Sequence, residues 1–473
     1  MSTNMNPARI LGRITVQGTL QLDAPLLIGE GASGEERSDR DIHVLRDKEG
    51  IPFIPGTSLA GALRSFVEED MPDAAELLFG TLGTSSDRGA GTDGRQSAAM
   101  LCDIVLAGAQ LGVRDGVSLD GITGTTVPHG KYDYEIVESG ARGEFYAEIT
   151  LRGVHEAEEK RIKNALLRLR DLLISGFCVG ALTTKGFGRM HVAGMQVDCY
   201  DFSRKEDVAA WLFPKERKAA VCRPHIPAAE ELPHPIYTAD DFMVEADFAL
   251  AGSLIIRDYE DANRMTAGGK NGPDARMKKN AAGAYIIPGT SLKGTLRHRA
   301  AYILHALGKD EAAAERLMDE LMGPSPEQMK KLAQKDKRRS RFIVEETVVV
   351  GEAHKQTRIR ANRFTGGTIP SALFSSVPIW QRGEGRAVTL HFGARRAKGW
   401  EAGLCILLLK DLWLGRIAIG GEKSIGRGLL TGLRADIHYR GRTWTLTRGE
   451  VFDESTARDL QEFVTALDKE AGI

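Results

Sequence analysis

The chain has 473 residues, of which 42% are hydrophobic and 27% are charged, a composition typical of a globular protein. No apolar run approaches the ~20 residues that a transmembrane helix needs, and the first residues lack the order of a signal peptide. The five scattered cysteines contain no CxxC pair, which argues against a zinc site or a disulfide scaffold. We therefore expect a cytoplasmic protein with no membrane partner.

The two halves of the chain differ in charge. Residues 1–236 carry 26 basic and 34 acidic side chains, a net charge of −8; because the whole chain has a net charge of −1, the remainder carries +7. Basic stretches lie at 276–279, 293–299, 330–341 and 354–363. Any one of them could be a solvated face, but four in one half, several beside glycines, favour a surface that binds nucleic acid.

In chain order, the first predicted element is an alternating strand within 13–29. A polar, glycine-bearing loop follows, and then a short apolar strand that ends in Ile54-Pro55-Gly56. We expect Thr57 or Ser58 to cap the helix that begins there. A second helix is predicted within 156–176, where leucine and isoleucine recur at helical spacing on one face, at Ile162, Leu166, Leu169 and Leu173. A glycine-rich turn and a last strand follow.

The same order of elements is then repeated. The sequence IPGTSL at 54–59 recurs at 287–292, and Thr290 or Ser291 is expected to cap the second copy of the helix. Four further landmarks recur in the same order, at 78–80 and 321–323, 97–103 and 340–346, 119–126 and 361–368, and 184–189 and 422–427. We predict two homologous modules, 1–215 and 237–473, joined by a proline-rich linker at 216–236.

Strands and two helices in this order predict an α+β fold of the ferredoxin-like or RNA-recognition (RRM-like) type in each module. The middle segments 111–150 and 345–395 are predicted to be extra hairpins that grow out of this fold.

The ordered motifs resemble the RAMP superfamily and, more narrowly, the backbone subunits of type III CRISPR effector complexes. The motifs are D-x-x-V-x-R-D before IPGTSL-x-G-x-L-R, then LFG, VRDGVSLDGITGTT, KYDYE and KGFGR. Two tandem copies are most similar to a type III-D-like protein. The resemblance implies two RRM-like palm domains, each with an inserted thumb hairpin. It also implies a crRNA guide, complementary target RNA and other CRISPR effector subunits as partners.

In target-cleaving members of that family, an aspartate in the loop before the Ile-Pro-Gly strand and a divalent metal cut the target RNA, at regular intervals of roughly 6 nucleotides. The resemblance places this aspartate at Asp41 and Asp274, which stand 14 residues before Pro55 and Pro288, respectively. Carboxylate oxygens suit Mg²⁺ or Mn²⁺, so both residues are predicted to be catalytic and metal-binding. Plain polar turns are the competing interpretation.

Other residues near the two aspartates compete for the same role. They are Asp39, Asp47, Asp258 and Asp261. Asp47 has Asn280 as its counterpart in the second module, which favours a structural role. His43 has no histidine counterpart and is more typical of a surface residue.

We predict RNA contacts at the start of the repeated helix and in the glycine-rich turns. A helix N-terminus attracts phosphate, and glycine lets the backbone approach RNA closely. The predicted residues are Thr57, Ser58, Arg64, Lys185 and Arg189 in the first module, and Ser291, Lys293, Arg297, Lys423 and Arg427 in the second. N-capping alone would require the same residues at the helix start, and this is the competing interpretation. The first module has Ala60 where the second has Lys293, which weakens that RNA contact in the first module.

Two other functions stay open. The chain could be a non-catalytic scaffold that only binds guide RNA. A metal-independent guide-processing nuclease is less favoured, because no histidine recurs between the modules to act as a general base. The stretch GGEKSIGRG lacks the spacing of a P-loop, which argues against nucleotide hydrolysis.

Overall fold

The structure is a computed structural model that describes residues 6, 8–30, 41–81, 94–119, 126–213, 221–232, 237–258, 272–324, 328, 333, 338–451 and 453–470. The chain forms two compact units. The first comprises Met1–Leu111, Glu135–Thr183 and Gly188–Ile236, and the second comprises Gly112–Tyr134, Thr184–Phe187 and Tyr237–Ile473. The predicted module boundaries at 215 and 237 stay a prediction, and part of the predicted linker, 216–220 and 233–236, lies outside the described residues.

The elements up to residue 212 are β1 (Ile10–Leu22), β2 (Phe53–Ile54), α1 (Gly56–Asp70), α2 (Pro72–Phe79), β3 (Ala99–Leu101), β4 (Ile104–Val105), β5 (Leu111–Leu119), β6 (Thr126–Val137), β7 (Arg142–Arg152), α3 (Gly153–Glu156), α4 (Glu159–Ser175), β8 (Phe177–Cys178), β9 (Arg189–Asp201) and α5 (Lys205–Leu212).

A five-stranded antiparallel sheet forms the centre of the first unit, in the order β3-β7-β1-β9-β8. Strands β1, β3, β7 and β9 are the first to fourth of the core in chain order. From β9 to β3 the sheet therefore has the 4-1-3-2 order of the ferredoxin-like fold. The alternation in β1 buries Val16, Leu20 and Leu22, while α1 and α4 pack on the sheet. Three of the four apolar positions predicted for the second helix, those at 162, 169 and 173, are buried in α4, and the fourth, at 166, is half-buried.

The later elements are β10 (Phe242–Leu250), β11 (Ser253–Leu254), β12 (Ala275–Arg276), β13 (Ile286–Ile287), α6 (Gly289–Ala306), α7 (Glu311–Met322), β14 (Phe342–Val344), β15 (Thr347–Val348), β16 (Glu352–Ala353), β17 (Gln356–Ala361), β18 (Thr368–Val377), β19 (Ile379–Trp380), β20 (Val388–Ala394), α8 (Gly399–Trp413), β21 (Leu430–Tyr439), β22 (Arg442–Thr447) and α9 (Glu454–Glu470).

The second unit repeats the antiparallel sheet, in the order β14-β20-β10-β21-β22. Phe242, Phe248 and Phe392 are fully buried in its core, against α6 and α8. Helix α9 packs closely on α8, where a Cβ added at Gly403 would lie 2.2 Å from the Phe463 carbonyl oxygen. The predicted tandem α+β architecture is therefore confirmed.

The predicted hairpins exist but are shorter than expected. Strands β5 and β6 pair in one hairpin and β17 and β18 in the other. Residues 142–150 and 388–394, which fall within the predicted hairpin segments, instead belong to the central strands β7 and β20 of the two sheets. Alternation alone cannot separate a hairpin strand from the core strand that follows it.

The predicted helix caps are wrong. The N-cap residues are Pro55 in α1 and Pro288 in α6, and neither cap has a side-chain hydrogen bond. The Thr-Ser pairs lie two and three residues after the N-cap, inside the first turn, because each helix already begins at the preceding glycine. In the part of the chain that the structure describes, no helix is long and apolar enough to span a membrane.

Candidate functional site

Loop one, defined here as residues 41–47, carries the first predicted catalytic aspartate. Asp41 is exposed at its start. The next residues form an extended segment: the Leu45 amide donates to the Ile28 carbonyl at 2.8 Å, and Val44 forms an antiparallel bridge with Gly29. The loop therefore holds a carboxylate at the surface on an ordered backbone.

Glu135, on hairpin strand β6, binds loop one from the other side. Its backbone amide donates to the Ile42 carbonyl at 2.9 Å, and its carboxylate accepts from the Val44 amide at 3.2 Å. The Arg46 guanidinium donates to both carboxylate oxygens, at 2.7 and 2.8 Å. His43 Nδ1 lies 4.0 Å from the same carboxylate. Glu135 is only 6% exposed, so these charged contacts are made largely out of water.

Loop two, residues 274–280, carries the second aspartate in the same setting. Asp274 is exposed, its amide donates to the Ser375 carbonyl at 2.8 Å, and its carboxylate accepts from the Ser375 amide at 2.6 Å. The following strand β12 runs parallel to the end of β18, pairing Ala275 with Ser376. Each predicted aspartate thus begins a loop that borders the base of its hairpin.

Loop two is anchored by a buried lysine of its own. Lys278 is 5% exposed, and its ammonium donates to the Asp258 carboxylate at 3.0 Å and to the Val113 carbonyl at 3.2 Å. Its counterpart in loop one is Leu45, since the backbone amides of these two residues donate to equivalent carbonyls, at Ile256 and Ile28, respectively.

The rival acidic residues have other contacts. The Asp47 carboxylate accepts from the amides of Glu49 and Ile51, closing a turn, and the Asn280 amide oxygen accepts from Ala284 in the equivalent turn. This geometry agrees with a structural role for Asp47. Asp258 pairs with Lys278. The predicted rivals at 39 and 261 lie outside the described residues.

The magnesium sites stay a prediction, in which each ion would be shared between one aspartate and RNA. Within the described ranges, which omit residues 31–40 and 259–271 beside the two loops, no group of three or more His, Cys, Asp or Glu side chains could hold a metal. Mg²⁺ in nucleic-acid enzymes commonly takes one or two carboxylates and completes its shell with phosphate oxygens and water. Asp41 and Asp274, both exposed, fit that use.

The starts of the repeated helices are partly occupied by protein groups. The Gly56 amide donates to the Asp103 carboxylate at 2.7 Å. A Cβ at Gly289 would lie 1.9 Å from the Lys185 carbonyl oxygen, so only glycine lets this backbone segment approach α6. Three predicted RNA-contacting side chains lie beside these amides. Thr57 is exposed, and Ser58 and Ser291 are half-buried.

Lys293 does not face solvent. It is 6% exposed, and its ammonium donates to the Thr184 hydroxyl at 2.9 Å, the Ser340 hydroxyl at 2.8 Å and the Phe342 carbonyl at 2.7 Å. Burial, and then the neighbouring cations Lys185 and Arg297, lower the pKa of Lys293 to about 6. This position does not favour the predicted phosphate contact.

The two helix arginines also have protein partners. Arg297 donates to the carbonyls of Met322 and Gly323 at 3.2 and 2.8 Å, at the C-terminal end of α7, where a cation is favourable. Burial lowers the pKa of Arg297. Arg64, half-buried, has its Nε 3.8 Å from the Glu68 carboxylate. Arg64 remains near enough to the surface for a phosphate contact.

The glycine-rich turns place their basic residues differently. Lys185 and Arg189 are half-buried, and burial lowers the pKa of Lys185. In the second turn Lys423 is exposed, whereas Arg427 is 3% exposed and binds the Glu422 carboxylate at 3.3 Å. The buried ion pair indicates that Arg427 shapes the turn, so Lys423 is the better placed of the two to reach RNA.

The sequence reading missed an exposed apolar and basic face on the second hairpin. Phe364 is 84% exposed and Leu373 is 67% exposed, and the Arg363 guanidinium lies 5.0 Å from the Phe364 ring centre. Arg360 is exposed on β17. The basic stretch at 354–363 was recognised, but the aromatic residue after it carried the additional signal for base stacking.

Comparison with protein families gives a match in each half of the chain. The model of the RAMP superfamily matches residues 19–191 and 235–431, which together cover well over half of the chain and fall once in each half. Among curated proteins, no significant match to the chain is found.

Proposed function

We propose, from the premise that this chain belongs to the RAMP superfamily, that it is a tandem backbone subunit of a type III CRISPR effector. Membership makes it a CRISPR-associated RNA-binding subunit. In the proposal it holds crRNA beside other effector subunits and cuts complementary target RNA at regular intervals, with one metal-dependent site in each module.

The observation that carries the proposal is the repeated aspartate loop. Asp41 and Asp274 are both exposed, both begin an ordered loop, and both loops border the base of a hairpin. A purely structural polar turn would not require an acidic residue at the same exposed place in two otherwise divergent loops.

The chemistry assigned to these loops is phosphodiester cleavage. The Asp41 and Asp274 carboxylates would each hold a divalent cation against the RNA backbone, and Mg²⁺ or Mn²⁺ bound there would offset negative charge that develops on the phosphate. The ordered loop backbone fixes the direction of each carboxylate. Fixed placement matters because orientation of the reacting groups supplies much of the rate.

The hairpins would set the RNA geometry next to each loop. Phe364, exposed beside Arg363, suits stacking on an unpaired base, and the basic side chains of β17 suit the phosphates that flank it. A base displaced by the hairpin would distort the RNA backbone next to that base, which favours in-line attack.

A guide-binding scaffold without catalysis is the second candidate. It is favoured by the hydrogen bond from the Ser375 amide, which engages one oxygen of the Asp274 carboxylate. In the described residues, which omit 31–40 and 259–271, no group of three or more His, Cys, Asp or Glu side chains could hold a metal.

The test uses the guide-bound complex, end-labelled complementary RNA and Mg²⁺, with an EDTA control. Wild type is compared with Asp41→Ala, Asp274→Ala and the double variant. We expect each single change to erase its own set of bands. If every variant binds target and yields the wild-type bands, the chain is a scaffold.

A further inference from the structure

The two aspartate loops are held in place by different side chains. Loop one is bound by the buried carboxylate of Glu135, through the Val44 amide and the Arg46 guanidinium. Loop two is anchored by the buried ammonium of its own Lys278, which binds the Asp258 carboxylate. The same backbone geometry is therefore stabilised by an anion in one module and by a cation in the other.

Neither module has both groups. Val137 forms a bridge with Leu26, and in the second module Ile379 pairs with Leu254 in the equivalent place. Glu135 lies two residues before Val137, so its counterpart is Val377, two residues before Ile379. Lys278 has Leu45 as its counterpart. Each module thus has an apolar residue where the other has its buried charge.

We propose that Glu135 and Lys278 are positioning residues, each of which orders only the loop of its own module and so sets the placement of Asp41 and Asp274, respectively. The link to catalysis rests on the proposed function; the ordering of the loops does not.

The charges support this assignment. A buried charge is costly unless its partners are held in place, so a carboxylate or ammonium that is only 5–6% exposed strongly favours the loop conformation that pairs it. Lys278 also donates to the Val113 carbonyl of hairpin strand β5. Loop two is thereby connected to the segment 112–134, which belongs to the same compact unit.

The experiment exchanges each positioning residue for its counterpart, in the full chain. Amide hydrogen exchange is followed by mass spectrometry in Glu135→Val and Lys278→Leu. We expect Glu135→Val to make amide exchange about tenfold faster in 42–46 only, and Lys278→Leu to do so in 275–279 only. A roughly tenfold increase in exchange rate is the effect expected when charge-assisted hydrogen bonds are lost. Matched controls are Glu144→Gln and Lys410→Met, which change exposed charges in the same units, outside both loops, and should leave both loops unaltered.

If a counterpart variant does not fold, Arg46→Met and Asp258→Asn remove the partner instead and should loosen the same loop. Unchanged exchange in both loops, or a uniform rise across the sheet of that unit, overturns the proposal.

Cleavage in the guide-bound complex separates this inference from the proposed function. We expect Glu135→Val to weaken the Asp41-dependent bands and Lys278→Leu the Asp274-dependent bands, each about tenfold or more in rate with target affinity unchanged. If the loops loosen as expected but Asp41→Ala and Asp274→Ala leave every band intact, the positioning role stands and the nuclease proposal fails.

Discussion

The Lys293 side-chain nitrogen lies 2.9 Å from the Thr184 hydroxyl oxygen, and the pKa of this buried lysine falls to about 6. Two residues that are 109 positions apart in the sequence are therefore joined by an amine that is largely uncharged at neutral pH. The ordinary lysine pKa in an unfolded chain is about 10.4.

This pKa difference predicts a pH-dependent cost to stability. Above pH ~10.4 the amine is neutral in both states; as the pH falls to about 6, only the unfolded chain gains the proton, so the folded state is progressively disfavoured. Below about pH 6 the cost is constant. Lys293→Met should remove it, so the free energy of unfolding of the variant should rise relative to wild type between pH 9 and 6, by up to about 1.4 kcal/mol per pH unit.

Denaturant unfolding of wild type and Lys293→Met at pH 6, 7, 8 and 9 measures this difference. Lys279→Met, which changes an exposed lysine, is the control and should give the same pH dependence as wild type. Parallel curves for Lys293→Met and wild type would show that Lys293 stays protonated when buried.

The two glycines of helix α1 should respond oppositely to alanine. A Cβ at Gly56 would lie 2.2 Å from the Leu101 carbonyl oxygen, whereas nothing lies within 4 Å of a Cβ at Gly61. We expect Gly56→Ala to lower the free energy of unfolding by about 1–3 kcal/mol through overpacking, and Gly61→Ala to raise it by about 0.5–1 kcal/mol. Chemical denaturation measures both, and equal effects would contradict the close approach at Gly56.

Replacing the aspartates without changing their size should separate chemistry from folding. We expect Asp41→Asn and Asp274→Asn each to slow its own cut by roughly 100-fold or more, the size associated with losing one charge-stabilising group. Asp47→Asn is the matched control, because Asn280 already makes the equivalent turn in the second module. Single-turnover cleavage rates measure the effect; an equal loss in Asp47→Asn would point to loop folding instead.

Cleavage and RNA binding should differ in their need for a divalent cation. Because the carboxylates are proposed to hold the ion against the target phosphate, EDTA should abolish cleavage, and Mg²⁺ or Mn²⁺ should restore it. Guide and target should remain bound, since the basic surfaces act without a metal. A gel-shift assay run beside the cleavage assay measures both, and cutting that persists in EDTA would favour a general-base mechanism.

The exposed ring on the second hairpin should contribute to RNA binding. We expect Phe364→Ala to weaken RNA binding by about 1–3 kcal/mol, the usual value of one base–aromatic stack. Phe213→Ala is the control, because Phe213 is 53% exposed at the end of α5 in the other unit. Equilibrium titrations at two salt concentrations measure the loss, which should be the same at both if stacking is responsible. Equal affinities for the two variants would remove Phe364 from the interface.

The sequence alone determined the tandem α+β architecture, because repetition and alternation are local properties of a chain. The IPGTSL pair marked the strand ends at Ile54 and Ile287 and the helices that follow them, and the apolar spacing in 156–176 predicted the buried face of α4. The aspartate loops were also located by local spacing, although their catalytic role stays a prediction. The helix caps were misplaced by two to three residues, since Gly56 and Gly289 already have helical conformation.

Tertiary structure alone decided which charged residues are available to a ligand. Lys293 and Arg427 look like surface cations in sequence, yet their partners at Thr184, Phe342 and Glu422 bury them. The roles of Glu135 and Lys278 likewise depend on partners far along the chain. Contacts between distant segments decide whether a charge is buried and paired, so the local sequence around one residue does not predict either.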